Sequence, residues 1–226
     1  MGQPPDDLIV RIAPGRVAEP PDGIPGRRGA IVRAATILFL RHGYHDTSTD
    51  QIAAAASVSK QTVYNQFGDK KNLFQEIILG VTATAERFAA ELPQSTATVR
   101  TATDLAPALR DLARRYLTAV MNPLVLALRR LMIGEANRFP QLAADYYDRA
   151  PARVLTALAD VVDRLAARGL LTVDDPIFAA EHFAYLVLGR PLDRGMFYVN
   201  AEPTTEELTA SADRAVEVFL AAYSAR

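Results

Sequence analysis

From Ile31 onward, apolar residues return every three or four positions, in runs separated by short breaks rich in Gly, Pro, Ser and Asp. Ile31, Ala35 and Leu38 have this spacing, His42 extends the row and Gly43 supplies a stop, which predicts a helix over 27–42. Ser48 and Gln51 stand three apart, the spacing of a capping box, and Ile52, Ala53 and Ala56 give the next helix a short inward face. Ser57-Val58-Ser59 breaks it. Ser59 suits the N-cap of a third short helix whose inward residues are Val63 and Phe67 and whose stop is Gly68. Asp69 suits the cap of a fourth, where Leu73, Ile77 and Leu79 to Val81 begin an apolar face that runs towards Leu92.

After Leu92, "PQSTATVRTAT" reads as a loop, and longer helices follow. Asp104 is placed to cap the first, which ends near Met121. Pro123, Pro140 and Pro151 each put proline in a first turn, where its missing N–H does no harm. Gly169 closes the helix from Pro151. Asp174 to Pro176 opens a segment to Gly189 that is apolar nearly all round, and Thr204 with Glu207 forms a second capping box. The last helix carries Leu208, Ala212, Ala215, Phe219 and Tyr223 in one stripe, with Val218 and Ala222 beside it. No segment shows strand alternation between turn signals, so the expected fold is all-α.

Residues 1–26 differ from the rest: six prolines and four glycines with no sustained apolar period predict a disordered N-terminal arm. With no cysteine in the chain there is no disulfide framework, and no stretch approaches the roughly twenty apolar residues that span a bilayer. The expected location is therefore cytoplasmic, without a membrane partner. Half the residues are hydrophobic, enough for a substantial core.

The formal net charge of −1 conceals an asymmetry. Between Arg27 and Lys71 seven basic residues face three acids, a local +4, leaving 18 basic and 23 acidic residues, or −5, elsewhere. All three lysines, Lys60, Lys70 and Lys71, lie in this block. A basic block beside a larger acidic one fits a small polyanion-binding module on a bulkier domain, although chance clustering of surface charge produces the same average.

Helices of about eight residues are not stable alone. Two of them around a tight turn make sense when the second must be presented to something, as in a helix-turn-helix. Ala53 supplies a small residue at the crossing, and Val58, Val63 and Phe67 lock the second helix. Lys60, Gln61, Thr62, Tyr64, Asn65 and Gln66 then face outward, almost all able to hydrogen-bond base edges or phosphates. A helical hairpin with a solvated polar face is the alternative.

The stretch "RRGAIVRAATILFLRHGYHDTSTDQIAAAASVSKQTVYNQFGDKKNLFQEII" resembles the DNA-binding domain of the TetR/AcrR family of transcriptional regulators. The likeness rests on Ala35, Phe39, Gly43-Tyr44, Ser48, Ile52-Ala53, Ala56, Val58-Ser59, Tyr64, Phe67, Lys70 and Leu73-Phe74. It implies a three-helix DNA-binding domain over 27–74 and a larger helical regulatory and dimerisation domain over 75–226. Thr62 and Tyr64 would meet phosphates and neighbouring bases, Lys70 would hold a phosphate, and Lys60, Gln61, Asn65 and Gln66 would read sequence. Ser48 and Ser59 complete the expected DNA-binding set. The family commonly has glycine where this chain has Ser57, and a non-glycine residue with positive φ there carries strain of order 1 kcal/mol.

The stretch "EANRFPQLAADYY" is more weakly similar to AefR-like C-terminal domains. Met121, Leu128, Met132, Phe139, Tyr146, Tyr147, Phe178 and Phe183 are candidates to line a ligand pocket, with Arg129, Glu135 or His182 as polar anchors; helical apolar stripes of this kind also serve simply as core. The helix from Pro176 and the last helix both carry more apolar surface than one chain needs, which suggests a four-helix interface between two copies. The expected protein is thus a homodimer on a palindromic stretch of double-stranded DNA, most simply a repressor released by an apolar or amphipathic effector. Control by a protein partner, or action as an activator, is the alternative. The chain offers no HExxH, Gly-rich phosphate loop or G-x-S-x-G, so neither catalysis nor a metal or other cofactor is expected.

Overall fold

The computed structural model describes residues 26–199 and 203–225, and the fold is all-α. The arm expected over residues 1–26 lies outside the described residues, apart from Gly26. In chain order the helices are α1 (Arg27–His42), α2 (Thr49–Ala55), α3 (Lys60–Phe67), α4 (Lys70–Ser95) and α5 (Ala102–Val120). They are followed by α6 (Pro123–Gly134), α7 (Pro140–Tyr147), a π-helical turn (Asp148–Ala152), α8 (Arg153–Ala167), α9 (Pro176–Phe197) and α10 (Thr205–Tyr223).

Two compact units emerge, one from residues up to Val81 together with Pro123–Asp145, the other from Thr82–Asn122 together with residues from Tyr146 on. In the first, α1 packs on α2 and α6, and α2 packs on α3. Ile31, Ala34, Ala35 and Phe39 are the buried row of α1, whereas His42 is exposed, so the inward stripe stops one turn earlier than its spacing suggests. Phe39, Tyr44, Phe74 and Phe139 form an aromatic cluster with ring centroids 4.8 to 5.8 Å apart. Offset and edge-to-face contacts of this kind add to the apolar area they bury and fix α1, α4 and the loop after α1 against one another.

In the second unit α9 is central, packing on α8, α10 and α5, while α10 also packs on α5. Phe183 of α9 meets Phe219 of α10 edge to face at 5.2 Å, with Ala179, Ala180, Val187, Ala212 and Val216 buried beside them. Arg114 of α5 forks onto Asp213 of α10, its Nε and Nη2 donating to the two carboxylate oxygens over 2.7 and 2.6 Å.

Several helix limits differ from the sequence pattern. The cap of α5 is Thr101, not Asp104: Asp104 is the third residue of a capping box and accepts from the backbone N–H groups of Arg100 and Thr101. Pro151 does not open a helix; it sits in the π-helical turn through which α7 passes into α8, a wide turn that accommodates a residue with no N–H to give. α4 runs through Pro93 to Ser95, because proline near a C-terminus forfeits a single hydrogen bond. α9 continues past Gly189 and Pro191 to Phe197, against poor local propensity, with Gly195 buried beyond them.

Candidate nucleic-acid interface

The loop from Gly43 to Ser48 sets the position of α2. Gly43 takes a φ of 75°, ending α1, and Thr47, almost wholly buried, donates its hydroxyl to the Gly43 carbonyl over 2.8 Å. Ser48 then caps α2: its Oγ accepts from the Gln51 N–H while the Gln51 side chain accepts from the Ser48 N–H. The turn into α3 depends on Ser57, whose φ is 54°, as the missing glycine requires. Val58 donates its N–H back to Ala53, closing the turn, and Ser59 caps α3 by accepting from Thr62.

α3 buries Val63 and Phe67 and turns Lys60, Gln61, Tyr64, Asn65 and Gln66 outward, with Thr62 half-buried. Several of these polar groups are already engaged. Lys60 Nζ lies 2.9 Å from Asp50 of α2, a pairing that raises the lysine pKa, chiefly through the hydrogen bond. Gln61 donates to Asn65 over 2.8 Å, as neighbours one turn apart do, and the hydroxyls of Ser59 and Thr62 are 2.8 Å apart. Tyr64 is 40 % exposed, enough for its ring edge and hydroxyl to reach a partner. An open groove of about 500 Å³ lies against Tyr64 of α3, lined otherwise by residues 44–49, Asp69, Lys70 and Lys71.

Lys70, at the groove, donates to the carbonyls of Thr47 at 2.7 Å and Tyr44 at 2.8 Å, with His45 at 3.5 Å, and lies 4.2 Å from the centre of the Tyr44 ring. An ammonium has three donors, and here they are turned into the loop. Burial, helped by the nearby Arg138 guanidinium, lowers the lysine pKa. Burial likewise raises the pKa of Tyr44, with Asp69 adding to the effect. Arg28 is also turned inward: it donates to the Gln66 carbonyl over 2.7 Å, pairs with Glu76 of α4 and stacks 4.2 Å over Phe67.

The candidate ligand residues fall in both compact units. Leu128, Met132 and Phe139 are buried in the first unit, where Phe139 packs on Tyr44 and Phe74. In the second unit Met121, Tyr146 and Phe183 are buried, whereas Tyr147 is 51 % and Phe178 is 55 % exposed. Of the proposed polar anchors, Glu135 pairs with Arg138, and His182 packs against Phe178 and hydrogen-bonds the Tyr223 hydroxyl.

A short capped helix, a tight turn and a second short helix with an outward polar face form a helix-turn-helix, and known proteins carry the same arrangement. The sequence profile of bacterial regulatory proteins of the tetR family matches residues 31–77, and that of the AefR-like transcriptional repressor C-terminal domain matches residues 107–225, more than half of the chain. The chain belongs to the TetR family. A crystal structure described as a TetR-family transcriptional regulator from Mesorhizobium loti is 35 % identical and superposes with a TM-score of 0.77 over 86 % of this chain and 95 % of that one. The flavonoid-responsive regulator FrrA is 33 % identical, with a TM-score of 0.67 over 88 % of this chain and 98 % of that one. The regulator TcmR of Streptomyces glaucescens is 28 % identical over 193 residues, 84 % of this chain and 81 % of that protein. As a TetR-family member, the protein is a DNA-binding transcriptional regulator and not an enzyme. Among the described residues no single helix is long and apolar enough to cross a membrane.

Sequence reasoning missed the inward roles of Arg28 and Lys70. Their acceptors are main-chain carbonyls of Gln66, Tyr44 and Thr47, groups that every residue carries and that no sequence pattern marks.

Proposed function

We propose that the protein is a homodimeric repressor that binds a palindromic operator through α3 and is released by a small apolar or amphipathic effector. The observation that carries this reading is the outward face of α3, where Gln61, Asn65 and Gln66 present amide groups and Tyr64 a phenol beside an open groove. Amides pair bidentately with adenine edges in the major groove, and a tyrosine hydroxyl suits a phosphate. In this reading Lys60, Gln61, Asn65 and Gln66 read bases, Thr62 and Tyr64 meet phosphates and neighbouring bases, and Ser48 and Ser59 hold the helix starts against the backbone. Lys60 must leave Asp50 to do so, a small loss for an exposed pair.

Repression is favoured by the AefR-like repressor likeness of residues 107–225. The second reading, activation, draws on FasR of Mycolicibacterium smegmatis, an activator 38 % identical over 52 residues, 23 % of this chain. An effector is favoured by FrrA, a relative named for its response to flavonoids. Such a ligand must bind the DNA-incompetent state more tightly to release the protein. The dimer is favoured by exposed apolar residues on α9 and α10, namely Phe178, Tyr185, Leu186 and Val218. A regulator of this kind acts in the cytoplasm, where bacterial DNA lies.

Selection from a random DNA pool, followed by fluorescence anisotropy over a salt series, tests the reading. The expected result is a palindromic site bound by two protomers, far more tightly than random DNA. Weak, nonselective binding throughout would overturn it, and loss of transcription on deleting the gene would favour activation.

A further inference from the structure

Among the exposed apolar residues of α9 stands one titratable ring. Phe178, His182, Tyr185 and Leu186 follow at spacings of four, three and one, which places them on one face of the helix, and all four are exposed. Two contacts hold His182 in place: its ring lies 4.3 Å from that of Phe178, and its Nδ1 is 2.5 Å from the hydroxyl of Tyr223 on α10. Either the imidazole or the phenol gives the proton of that bond, and the other ring nitrogen, Nε2, has no partner among the described residues. No described carboxylate pairs with the ring. Asp175, at the start of α9, is spent on the N–H groups of Ile177 and Phe178, while Asp213 and Glu217 of α10 pair with Arg114 and Arg110 of α5. Glu181 adjoins His182 in sequence and Arg190 stands about two turns along the same face, yet neither contacts the ring. None of the charged groups of α5 and α8, the other helices packed on α9, pairs with it either.

We propose that His182 makes association of two copies depend on acidity: its neutral ring joins the apolar contact, and its protonated ring opposes it. The proposal rests on the reading of α9 and α10 as the surface that joins the dimer. In a free protomer the exposed ring is hydrated in either form. In that dimer the second copy covers the strip and water leaves Nε2. Protonation then puts a donor and a positive charge among Phe178, Tyr185 and Leu186, where no carboxylate offsets the lost hydration. The Tyr223 hydroxyl already satisfies Nδ1, so covering the neutral ring costs far less. Twofold symmetry doubles the effect, because both copies bring the same ring. The sign follows from linkage: the dimer disfavours the charged form, so it binds the proton more weakly than the free protomer does. The dimer is therefore tightest above the ordinary histidine value of about 6.5 and loosens as pH falls through it.

Sedimentation of the full-length protein over a concentration series, one pH unit either side of that value, reads the dimer constant directly. The wild type is compared with His182→Gln, which keeps a hydrogen-bonding group for Tyr223 and never ionises in this range. His42→Gln, an exposed histidine at the end of α1, is the control for titration elsewhere. Circular dichroism at each pH shows that every variant is folded. Two protons per dimer titrating around 6.5 give at most about a hundredfold change over this interval. The expected result is a dissociation constant at least about tenfold higher on the acid side in the wild type and in His42→Gln, and less than about twofold higher in His182→Gln. A wild-type constant that ignores pH would overturn the proposal and leave the dimer standing. The same acid weakening in His182→Gln would assign it to other groups and overturn the proposal too. A wild type at the chain mass under every condition would remove the dimer itself, and the proposal with it. NMR of the imidazole gives an independent readout: the midpoint of the His182 titration should move to lower pH as protein concentration rises through the dimer range. A midpoint that does not move would place the ring outside the interface and refute the switch.

Discussion

Ser57 has a φ of 54°, and among the described residues no other non-glycine residue has a positive φ. The left-handed conformation places its Cβ against the following carbonyl at a cost of roughly 1–2 kcal/mol, which glycine avoids while losing more freedom on folding. The two effects oppose, and strain is the larger. Ser57→Gly is therefore expected to stabilise the protein by about 1 kcal/mol, read as a midpoint shift in urea unfolding with unchanged slope; no shift would mean the turn is unstrained. Asp213 carries a different sensitivity. The hydrogen bond from Arg114 lowers its pKa below the ordinary carboxylate value, against an opposing push from burial. The folded state thus holds this proton more weakly than the unfolded one, so the pair's stabilisation is complete above the unfolded pKa of about 3.9 and fades as pH falls through the lower folded value. Asp213→Asn should be less stable than the wild type at pH 7, and thermal melts should show the gap closing on acidification into that window. A gap that stays constant with pH would exclude the Arg114 pair as its cause.

At the scale of helices, α1 to α3 were legible because their signals are local. Ser48 with Gln51, Ser59 and Gly68 act within a turn of themselves, and the structure uses each where its spacing indicates. The extent of α9 was not legible: Gly189 and Pro191 are strong local stops, yet the helix runs past them to Phe197, and local propensity does not reveal such an override. The outward face of α3 could be read from its register, but the destinations of its donors could not. The Gln61 to Asn65 hydrogen bond is such a case, and it makes the proposed reading residues a coupled pair. Gln61→Ala should therefore alter base preference both at its own position and at the position read by Asn65, since the amide of Asn65 is released to rotate. A double-mutant cycle on the selected operator should show an interaction energy of at least about 0.5 kcal/mol between the two. Additive losses, equal on every DNA, would remove the pair from base reading.

At the scale of the whole chain, several large apolar residues are exposed on two helices of the second unit. Ile177, Phe178, Tyr185 and Leu186 of α9 are 40 to 66 % exposed, and Val218 of α10 is 55 % exposed, although α9 and α10 pack on each other and bury Phe183 and Phe219 between them. The inward faces of these helices are therefore already satisfied, and in the proposed dimer the outward apolar residues meet a second surface. The second strip beside the stripe of α10 was visible as periodicity, but periodicity alone does not say which strip faces the chain's own core. Exposed apolar side chains of this kind suit an interface, and in the proposed dimer a twofold axis supplies a single self-complementary partner, another copy of the chain. Two copies would bury the four helices as a bundle and carry two α3 helices to two half-sites. On such an axis each substitution occurs twice, so Tyr185→Glu with Val218→Glu places four carboxylates where four apolar groups met. Sedimentation at micromolar concentration should find the wild type at twice the chain mass and the variant at the chain mass, with its helical circular dichroism retained. Operator affinity should fall by orders of magnitude while random-DNA binding per chain changes little, because the second half-site then contributes nothing. A variant that keeps twice the chain mass would place the dimer contact elsewhere and leave these exposed residues for a different protein.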